Sequence, residues 1–397
     1  MMSTTTDERW LLPEGIAEVL PAQARQIEAL RRVLLDLYDR WGYDLVMPPF
    51  IEYMESLLVG TGHDLALQTF TLTDQLTGRL MGVRADMTPQ VARIDAHMLR
   101  RESPTRLCYI GTVLHTRPDG FAGSRSPLQV GVELYGNASI ESDLEVLRLL
   151  VETLKVSGIE QLYIDLGHVE IFRCLVQQAG LNQAQEEQFF DALQRKAKPE
   201  LQALVTKWKL TKEMADMLTA LADLHGGHDI LSQARECFAT ADKTVLAALE
   251  QLVTIADRIQ EEIPSLKLHF DLGELRGYNY HTGVVFAAYL PGQGQAIALG
   301  GRYDHIGEVF GRARPATGFS TDLKQLMQLG RFCLPAPVTA VFAPESNDAE
   351  LHKKVIALRE QGKRVICGLP GQKQTATDMG CDERLVNRNG QWQVEAV

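Results

Sequence analysis

The chain has 397 residues, a formal net charge of −11, 45% hydrophobic residues and 23% charged residues. This length allows two or three domains with separate cores, and the composition is that of an ordinary soluble protein. The acidic balance argues against broad electrostatic capture of nucleic acid, although a local basic patch is compatible with it.

Cysteine usage and hydropathy indicate the compartment. The six cysteines have no C-x-x-C spacing, which argues against a zinc site or a disulfide framework. The amino terminus has no apolar signal segment, and no later stretch approaches the length of a membrane span. We therefore expect a cytoplasmic protein without a metal or a cofactor.

The amino-terminal part begins as an arm followed by a helix and an extended segment. Apolar residues recur at helical spacing between Ile27 and Trp41, and Pro21 suits the first turn of that helix. The segment 43–51 carries two prolines, which fit an edge strand and not a central strand. Residues 69–80 alternate and turn like a hairpin.

Asp86 and Thr88 stand at the start of a helix that Pro89 would begin. Capping of the helix explains part of this choice, because carboxylate and hydroxyl oxygens accept the free N–H groups of a first turn.

Two strands, 107–114 and 128–135, follow around a polar loop. Gln129 and Glu133 lie four apart on the second strand and hence on one face. Burying an amide and a carboxylate without partners is costly, so a ligand pocket is favoured over plain core packing. An internal ion pair would satisfy them as well.

The middle of the chain is predicted to be largely helical. An amphipathic helix over 140–157 and a strand over 159–166 precede a stretch from 168 to 263 that is rich in helix formers. H-G-G-H at 225–228 interrupts it. Two glycines remove the rigid helix face that paired metal ligands need, so we expect a loop there.

Residues 269–304 carry the most unusual pattern in the chain. Apolar runs at 268–272, 284–289 and 296–299 predict three strands. Between the first two strands lies a polar, aromatic segment, R-G-Y-N-Y-H-T at 276–282. Local chemistry leaves two interpretations open: a wide hairpin whose glycines serve only the turn, or a ligand pocket.

This segment resembles a known signature. R-G-Y-N-Y-H-T-G is similar to the R-G-x-D-Y-Y-T-G signature of histidyl-tRNA synthetases, and G-G-R-Y-D at 300–304 to their second signature. The regions 21–51, 107–135 and 316–326 resemble motifs 1, 2 and 3 of class II synthetases. The resemblance implies an α+β fold in which helices flank an antiparallel sheet, with a helical insertion.

The resemblance also implies a histidine pocket. In it, Asp86 and Thr88 would hold the ammonium group, Glu133 and Tyr280 the imidazole, and Gln129 and Arg276 the polar remainder. The residues that match the family's pocket are Asp86, Thr88, Gln129, Glu133, Arg276, Tyr280 and Tyr303. The departures from the family are His281 for a tyrosine, Asn279 for an aspartate, and Ala85 for a proline.

The ATP machinery of the family is degenerate. Adenylation depends on arginines that stabilise charge on the α-phosphate. His115 occupies the position of the motif 2 arginine and Gln325 that of the motif 3 arginine. Arg117 and Lys324 replace glutamates, and Asp322 replaces a glycine. We expect that adenylation is lost, although Arg125 and Arg276 could retain a weak anion site.

The carboxy-terminal part is predicted to be a small α/β domain. Strands at 338–343 and 364–368, a helix at 348–361 and a final hairpin around 387–390 follow a proline-containing linker. This domain is shorter than the anticodon-binding domain of the family. The predicted domains are 1–167 and 264–334 for the core, 168–263 for the insertion, and 335–397.

A histidine-binding scaffold without ATP machinery resembles the regulatory subunits of ATP phosphoribosyltransferase. That resemblance implies no independent catalysis, hetero-oligomers with the short-form catalytic subunit, and a part in feedback inhibition by histidine. It also implies a dimer through motif 1 and no binding of tRNA. A true histidyl-tRNA synthetase and an amino-acid-activating paralogue are the alternatives.

Overall fold

The computed structural model describes residues 10–58, 63–118, 124–275, 277–278, 280–333 and 340–397. The chain divides into two compact units, Met1–Cys333 and Leu334–Val397. The finer predicted boundaries at 168 and 264 stay a prediction. Within the described residues, no helix is long and apolar enough to span a membrane.

The first unit combines twelve strands with twelve α-helices in its described part. The helices are α1 (Pro21–Arg40), α2 (Met54–Leu57), α3 (His63–Gln68), α4 (Thr88–Arg93), α5 (Ile140–Val156), α6 (Val169–Gln178), α7 (Gln183–Gln194), α8 (Lys198–Lys207), α9 (Lys212–Ala220), α10 (Asp229–Cys237), α11 (Lys243–Glu262) and α12 (Leu323–Leu329). The strands are β1 (Asp44–Leu45), β2 (Ile51–Tyr53), β3 (Phe70–Thr73), β4 (Leu80–Val83), β5 (Thr105–Thr112), β6 (Leu128–Tyr135), β7 (Tyr163–His168), β8 (His225–Gly226), β9 (Lys267–Asp271), β10 (Val284–Tyr289), β11 (Ala298–Arg302) and β12 (Ala316–Asp322). A π-helix, Ile94–Leu99, continues directly from α4.

Nine of these strands form one sheet in the order β1-β5-β6-β12-β11-β10-β7-β9-β8. Its neighbours are antiparallel except for β1 with β5 and β7 with β9. The predicted α+β class with a mainly antiparallel sheet is therefore confirmed. The hairpin interpretation of 269–289 is wrong, because β7 lies between β9 and β10.

Strand β6 shows how the sheet separates core from cavity. Val130, Val132 and Leu134 are buried in the apolar core that also contains the inner faces of α1 and α5. Successive side chains of a strand point to opposite faces, so Gln129 and Glu133 lie on the other face. Each fully buried aliphatic side chain stabilises the fold by roughly 1.5–3 kcal/mol.

The region 168–263 is helical as expected, with one local correction. His225–Gly226 form the short strand β8 against β9, so the predicted loop begins with paired backbone. His228 contacts Asp257, with 2.8 Å between Nε2 and Oδ1. Among the described residues, no group of three or more His, Cys, Asp or Glu side chains could hold a metal ion.

Two strands that pair with β10 begin later than the sequence predicted. The strand expected at 159–166 is β7 at Tyr163–His168, and the run expected at 296–299 is β11 at Ala298–Arg302. In both cases hydrogen bonding to β10 sets the strand, and apolar residues before it pack in loops.

The second unit is a small α/β domain, as predicted. Strands β13 (Ala340–Ala343), β14 (Arg364–Cys367), β15 (Glu383–Arg388) and β16 (Gln391–Ala396) form a sheet in the order β14-β13-β15-β16, with helix α13 (Ala349–Glu360). Asn389 and Gly390 have φ of 53° and 83°, the left-handed geometry that a two-residue hairpin turn requires. The predicted linker residues 334–339 lie outside the described residues.

Candidate ligand pocket and degenerate nucleotide site

A cavity of about 630 Å³ lies on the face of the large sheet opposite α1 and α5. Small-molecule sites typically occupy about 300–1,000 Å³. The predicted histidine-binding residues that line it are Asp86, Thr88, Gln129, Glu133, Tyr280 and Tyr303. The seventh, Arg276, lies outside the described residues, as does Asn279. The structure thus brings together the six that it describes.

Glu133 is the buried carboxyl group of the cavity. The Tyr109 hydroxyl donates to its Oε1 at 2.9 Å, and the Tyr303 hydroxyl donates to its Oε2. Burial raises the pKa of Glu133 to about 8, although both tyrosine donors oppose the shift. Near neutral pH this side chain therefore holds a proton for much of the time.

Two glycines make room for this cluster. A Cβ atom on Gly318, which pairs with Glu133 across the sheet, would lie 1.7 Å from Glu133 Oε2. A Cβ atom on Gly131 would lie 2.4 Å from the hydroxyl of Tyr109. Any larger residue at either position would displace the carboxyl group or the ring.

Asp86 connects the start of α4 to strand β6. Its Oδ1 accepts from the Gln129 side-chain amide at 2.7 Å and from the Thr88 backbone N–H at 3.0 Å. Gln129 Oε1 in turn accepts the Met87 N–H at 3.0 Å. The capping and pocket interpretations of Asp86 are therefore compatible, because one oxygen supports the helix start while the side chain lines the cavity.

Thr88 joins this group to Glu133. Its hydroxyl lies 3.1 Å from the Tyr109 hydroxyl, which also contacts Glu133. Tyr109 was missed by sequence reasoning. Its only signal is the cross-strand pairing of Tyr109 with Gly131, which requires knowledge of the register.

Tyr280 and His281 form another wall. Tyr280 is 43% exposed, and its ring centroid lies 4.2 Å from that of the buried His281. His281 Nδ1 donates to the Arg302 carbonyl oxygen at 3.1 Å. Burial lowers the pKa of His281 to about 4, so the ring is neutral at physiological pH.

Arg302 fixes that carbonyl group. Its guanidinium group is buried and bonds Asp143 Oδ2 at 2.9 and 3.1 Å, at the beginning of α5. Ser142, Asp304 and the carbonyl oxygens of Asn137 and Ser139 accept further hydrogen bonds from the guanidinium group. The position of His281 thus depends on a buried ion pair with a helix on the other side of the sheet.

The positions that carry ATP-binding groups in synthetases have other contacts here. His115 is buried, with Nε2 2.9 Å from the Ala85 carbonyl oxygen. Lys324 donates to the Ser126 carbonyl oxygen at 2.6 Å. Gln325 lines the cavity, whereas the exposed Arg117 does not.

Asp322 and Arg125 also have structural contacts. Asp322 accepts the N–H groups of Leu128 at 2.9 Å and Lys324 at 3.0 Å, and so caps α12. Arg125 donates to the carbonyl oxygens of His115 at 3.0 Å and Glu14 at 3.1 Å. Among the described residues lining the cavity, none is a lysine or an arginine.

Fold and pocket together define a class II synthetase-like protein. A family model described as histidyl-tRNA synthetase matches residues 15–326, and one described as ATP phosphoribosyltransferase subunit HisZ C-terminal domain matches residues 338–395. A solved structure from Bacillus halodurans, named as an ATP phosphoribosyltransferase regulatory subunit/histidyl-tRNA synthetase, has a TM-score of 0.83 at 26% identity, covering 94% of this chain and 97% of its own.

The sequence relatives decide between a synthetase and a regulatory subunit. An ATP phosphoribosyltransferase regulatory subunit from Thioalkalivibrio sulfidiphilus is 58% identical over 98% of this chain and 99% of its own. A chain of the HisG:HisZ ATP phosphoribosyl transferase complex from Thermotoga maritima shares the fold at 20% identity, with a TM-score of 0.56. The match covers 74% of this chain and 96% of its own. The chain belongs to the family of ATP phosphoribosyltransferase regulatory subunits, and the prediction of a regulatory subunit instead of a synthetase is confirmed.

Proposed function

We propose that the cavity binds histidine and that this binding contributes to feedback inhibition of ATP phosphoribosyltransferase. The observation that carries the proposal is the convergence of six predicted pocket residues on one cavity whose described lining contains no lysine or arginine. Histidine presents an ammonium group and an imidazole with two nitrogens. Asp86 suits the ammonium group, and Glu133 with the neighbouring tyrosines suits the imidazole.

The test uses the assembled enzyme with Glu133→Gln and Asp86→Asn in this chain. Both replacements keep an acceptor oxygen for the neighbouring donors while replacing the carboxyl group by an amide that cannot ionise. We expect weaker inhibition by histidine, with nearly unchanged assembly and uninhibited turnover. A coupling free energy of about 1–3 kcal/mol is typical of such linkage, and it must be reciprocal.

The matched control is Glu236→Gln, an exposed glutamate in α10 away from the cavity. Unaltered inhibition in both pocket variants would place the effector elsewhere, on the catalytic subunit or between the subunits. Loss of assembly in place of loss of inhibition would mean that these residues only support the fold.

We also propose that the chain acts in a cytoplasmic hetero-oligomer with the short-form catalytic subunit, in the first step of histidine biosynthesis, and does not bind tRNA. The name of its relatives and the carboxy-terminal family match support the assembly. The six cysteines are free thiols, which suits a reducing compartment. Co-purification of the chain with the short-form subunit tests the assembly directly.

Self-association through the motif 1 region is a separate proposal. Strand β1 is an edge of the nine-stranded sheet, and the segment around it exposes large apolar residues. These residues are Leu45, Met47, Phe50 and Ile51, of which Met47 is 76% exposed. An apolar edge of this kind suits a symmetric dimer, in which both copies use the same surface.

Light scattering of the isolated chain tests this dimer. We expect a dimer at micromolar concentration for the wild type and a shift to monomer for Met47→Asp. Leu369→Asp changes a similarly exposed apolar residue in the second unit and is the control. A wild-type chain that is purely monomeric at this concentration contradicts the proposal.

A further inference from the structure

One wall of the cavity is a loop between β9 and β10. Tyr278, Tyr280 and His281 line the cavity from this loop, whose backbone forms turns and irregular structure. The Gly277 carbonyl oxygen accepts the N–H groups of Tyr280 and His281, each at 2.9 Å. Two hydrogen bonds within one turn give little local stability, so the position of this wall depends on contacts with other elements.

On the sheet side, β11 holds the end of the loop that leads into β10. The Thr282 N–H donates to the Arg302 carbonyl oxygen at 2.8 Å, and His281 Nδ1 donates to the same oxygen at 3.1 Å. Thr282 Oγ1 accepts the Asp304 N–H at 2.9 Å. These contacts hold the end of the loop that follows Tyr280.

On the side facing the helical region 168–263, Arg173 of α6 bridges the loop. Its Nη2 donates to the carbonyl oxygens of Tyr278 and His281, both at 3.1 Å. One nitrogen thus joins two backbone groups that flank Tyr280 in the sequence. The guanidinium carbon also lies 4.9 Å from the centroid of the Tyr278 ring, within the range of a cation–π contact. Arg173 does not itself belong to the described lining of the cavity.

Glu170 orients this arginine from the preceding turn of α6. Its Oε1 accepts from Arg173 Nη1 at 2.6 Å, while Nη2 serves the loop. The planar guanidinium fork makes this division possible, whereas the single ammonium group of a lysine cannot reproduce it. Both side chains are partly exposed, so their ion pair adds little to stability and acts mainly by fixing the direction of the guanidinium group.

The same helical region holds the loop by aromatic packing as well. The Tyr278 ring centroid lies 5.3 Å from those of Phe172 in α6 and Phe190 in α7. The Tyr278 hydroxyl donates to Glu186, also in α7. These contacts fix the Tyr278 side chain, while Arg173 fixes the backbone on both sides of Tyr280.

We propose that Arg173 is a positioning residue of the histidine pocket, through which the helical region 168–263 holds the wall that carries Tyr280. This inference rests on the proposed histidine pocket and deepens it. Without the guanidinium group, water replaces it at the two carbonyl oxygens and the loop samples further conformations. Only the fraction in the binding conformation accepts histidine, so the apparent affinity falls by that fraction. A displacement of α6 relative to the sheet changes the affinity by the same route.

The experiment compares the full-length wild type with Arg173→Met, which keeps an unbranched apolar side chain and removes the guanidinium group. Calorimetric titration should show about tenfold weaker binding of histidine, as for a loop in the binding conformation about a tenth of the time. Arg173→Lys keeps the charge without the fork and should bind with intermediate affinity.

Hydrogen exchange reports on the loop itself. The amides of Tyr280, His281 and Thr282 should exchange faster in free Arg173→Met than in the wild type, because their hydrogen bonds open more often. Saturating histidine should slow them again, since the bound ligand selects the closed loop. The amides of β10 should exchange as in the wild type.

Arg148→Met is the matched control. The Arg148 side chain is 26% exposed, against 27% for Arg173, and its guanidinium group joins α5 to α11 through Glu262, away from the cavity lining. Histidine affinity should be unchanged in this variant. Urea denaturation of each variant measures global stability, so a general loss of fold is distinguished from a local loss of order.

Three results would overturn the positioning role of Arg173 while the wild type still binds histidine. They are wild-type affinity in Arg173→Met, an affinity loss without faster exchange at the three loop amides, and equal affinity losses in Arg173→Met and Arg148→Met. A wild-type chain that does not bind histidine overturns the pocket and this inference with it. The wild-type titration therefore separates the two failures.

Discussion

The two ends of the cavity differ in how their polar groups are connected. Around Glu133, hydroxyl and carboxyl groups contact one another through Tyr109, Tyr303 and Thr88. At the end of the cavity beside α12, Gln325 has no side-chain partner among the described residues, and Lys324 donates to the Ser126 carbonyl oxygen.

This difference has a physical reason. Removing one member of a buried network leaves its partners unsatisfied, at a cost of about 1–3 kcal/mol for each group. The side chain of Gln325 has no such partners among the described residues. A substitution around Glu133 is therefore expected to cost more stability than one at Gln325.

The strongest test of the hydrogen-bonded group around Glu133 is Glu133→Gln. The pKa of Glu133 is raised from 4.5 to about 8, so the folded protein binds an additional proton between these values. The stability due to this proton is present below pH 4.5 and is lost as the pH rises to about 8. Wild-type stability should fall across this range, relative to the variant, by up to about 5 kcal/mol.

Chemical denaturation at pH 5 to 9 measures that difference, with the exposed Glu236→Gln as a control. The comparison with the variant also cancels the opposite contributions of His168 and His281, whose pKa values are lowered to about 4 by burial. Parallel pH profiles of wild type and Glu133→Gln would show that Glu133 ionises normally in the fold.

Gly318→Ala should have the next largest effect. The added methyl group would lie 1.7 Å from Glu133 Oε2 and 2.5 Å from the Val132 carbonyl oxygen. Overpacking of this kind costs typically about 1–3 kcal/mol, and histidine affinity should fall with it. Urea denaturation measures the loss, and Gly294→Ala, with no atom within 4 Å of the new Cβ, should show almost none.

Tyr109→Phe tests the hydroxyl that connects Thr88 to Glu133. It should reduce the free energy of unfolding by about 1–2 kcal/mol, because the buried Glu133 and the half-buried Thr88 each lose a contact. Tyr163→Phe removes a hydroxyl that contacts only the exposed Lys267 among the described side chains, and it should change little. Equal effects of the two substitutions on thermal denaturation would argue against a connected network.

The smallest expected effect concerns the end of the cavity where the synthetase arginines are replaced. With His115 and Gln325 in place of arginines, charge on an ATP α-phosphate has no stabilising cation at either position. Histidine-dependent exchange of pyrophosphate into ATP should therefore equal a blank without protein. Exchange well above that blank would mean that other groups have taken over the role of these arginines.

Local patterns in the sequence determined much of this structure. Helical periodicity located α1 and α5, an apolar run located β10, and Asn-Gly predicted the final hairpin turn. Strand alternation also placed Gln129 and Glu133 on one face. These features depend on residues that are neighbours along the chain, which is why periodicity and turn chemistry reveal them. The family signatures then connected them to a histidine pocket.

Only the tertiary structure decided which groups contact one another. The insertion of β7 between β9 and β10, and the pairing of Gly131 with Tyr109 and of Gly318 with Glu133, depend on strand register. The raised pKa of Glu133 likewise follows from burial by segments distant in sequence. Register and burial result from packing across the whole sheet, and no local pattern contains them.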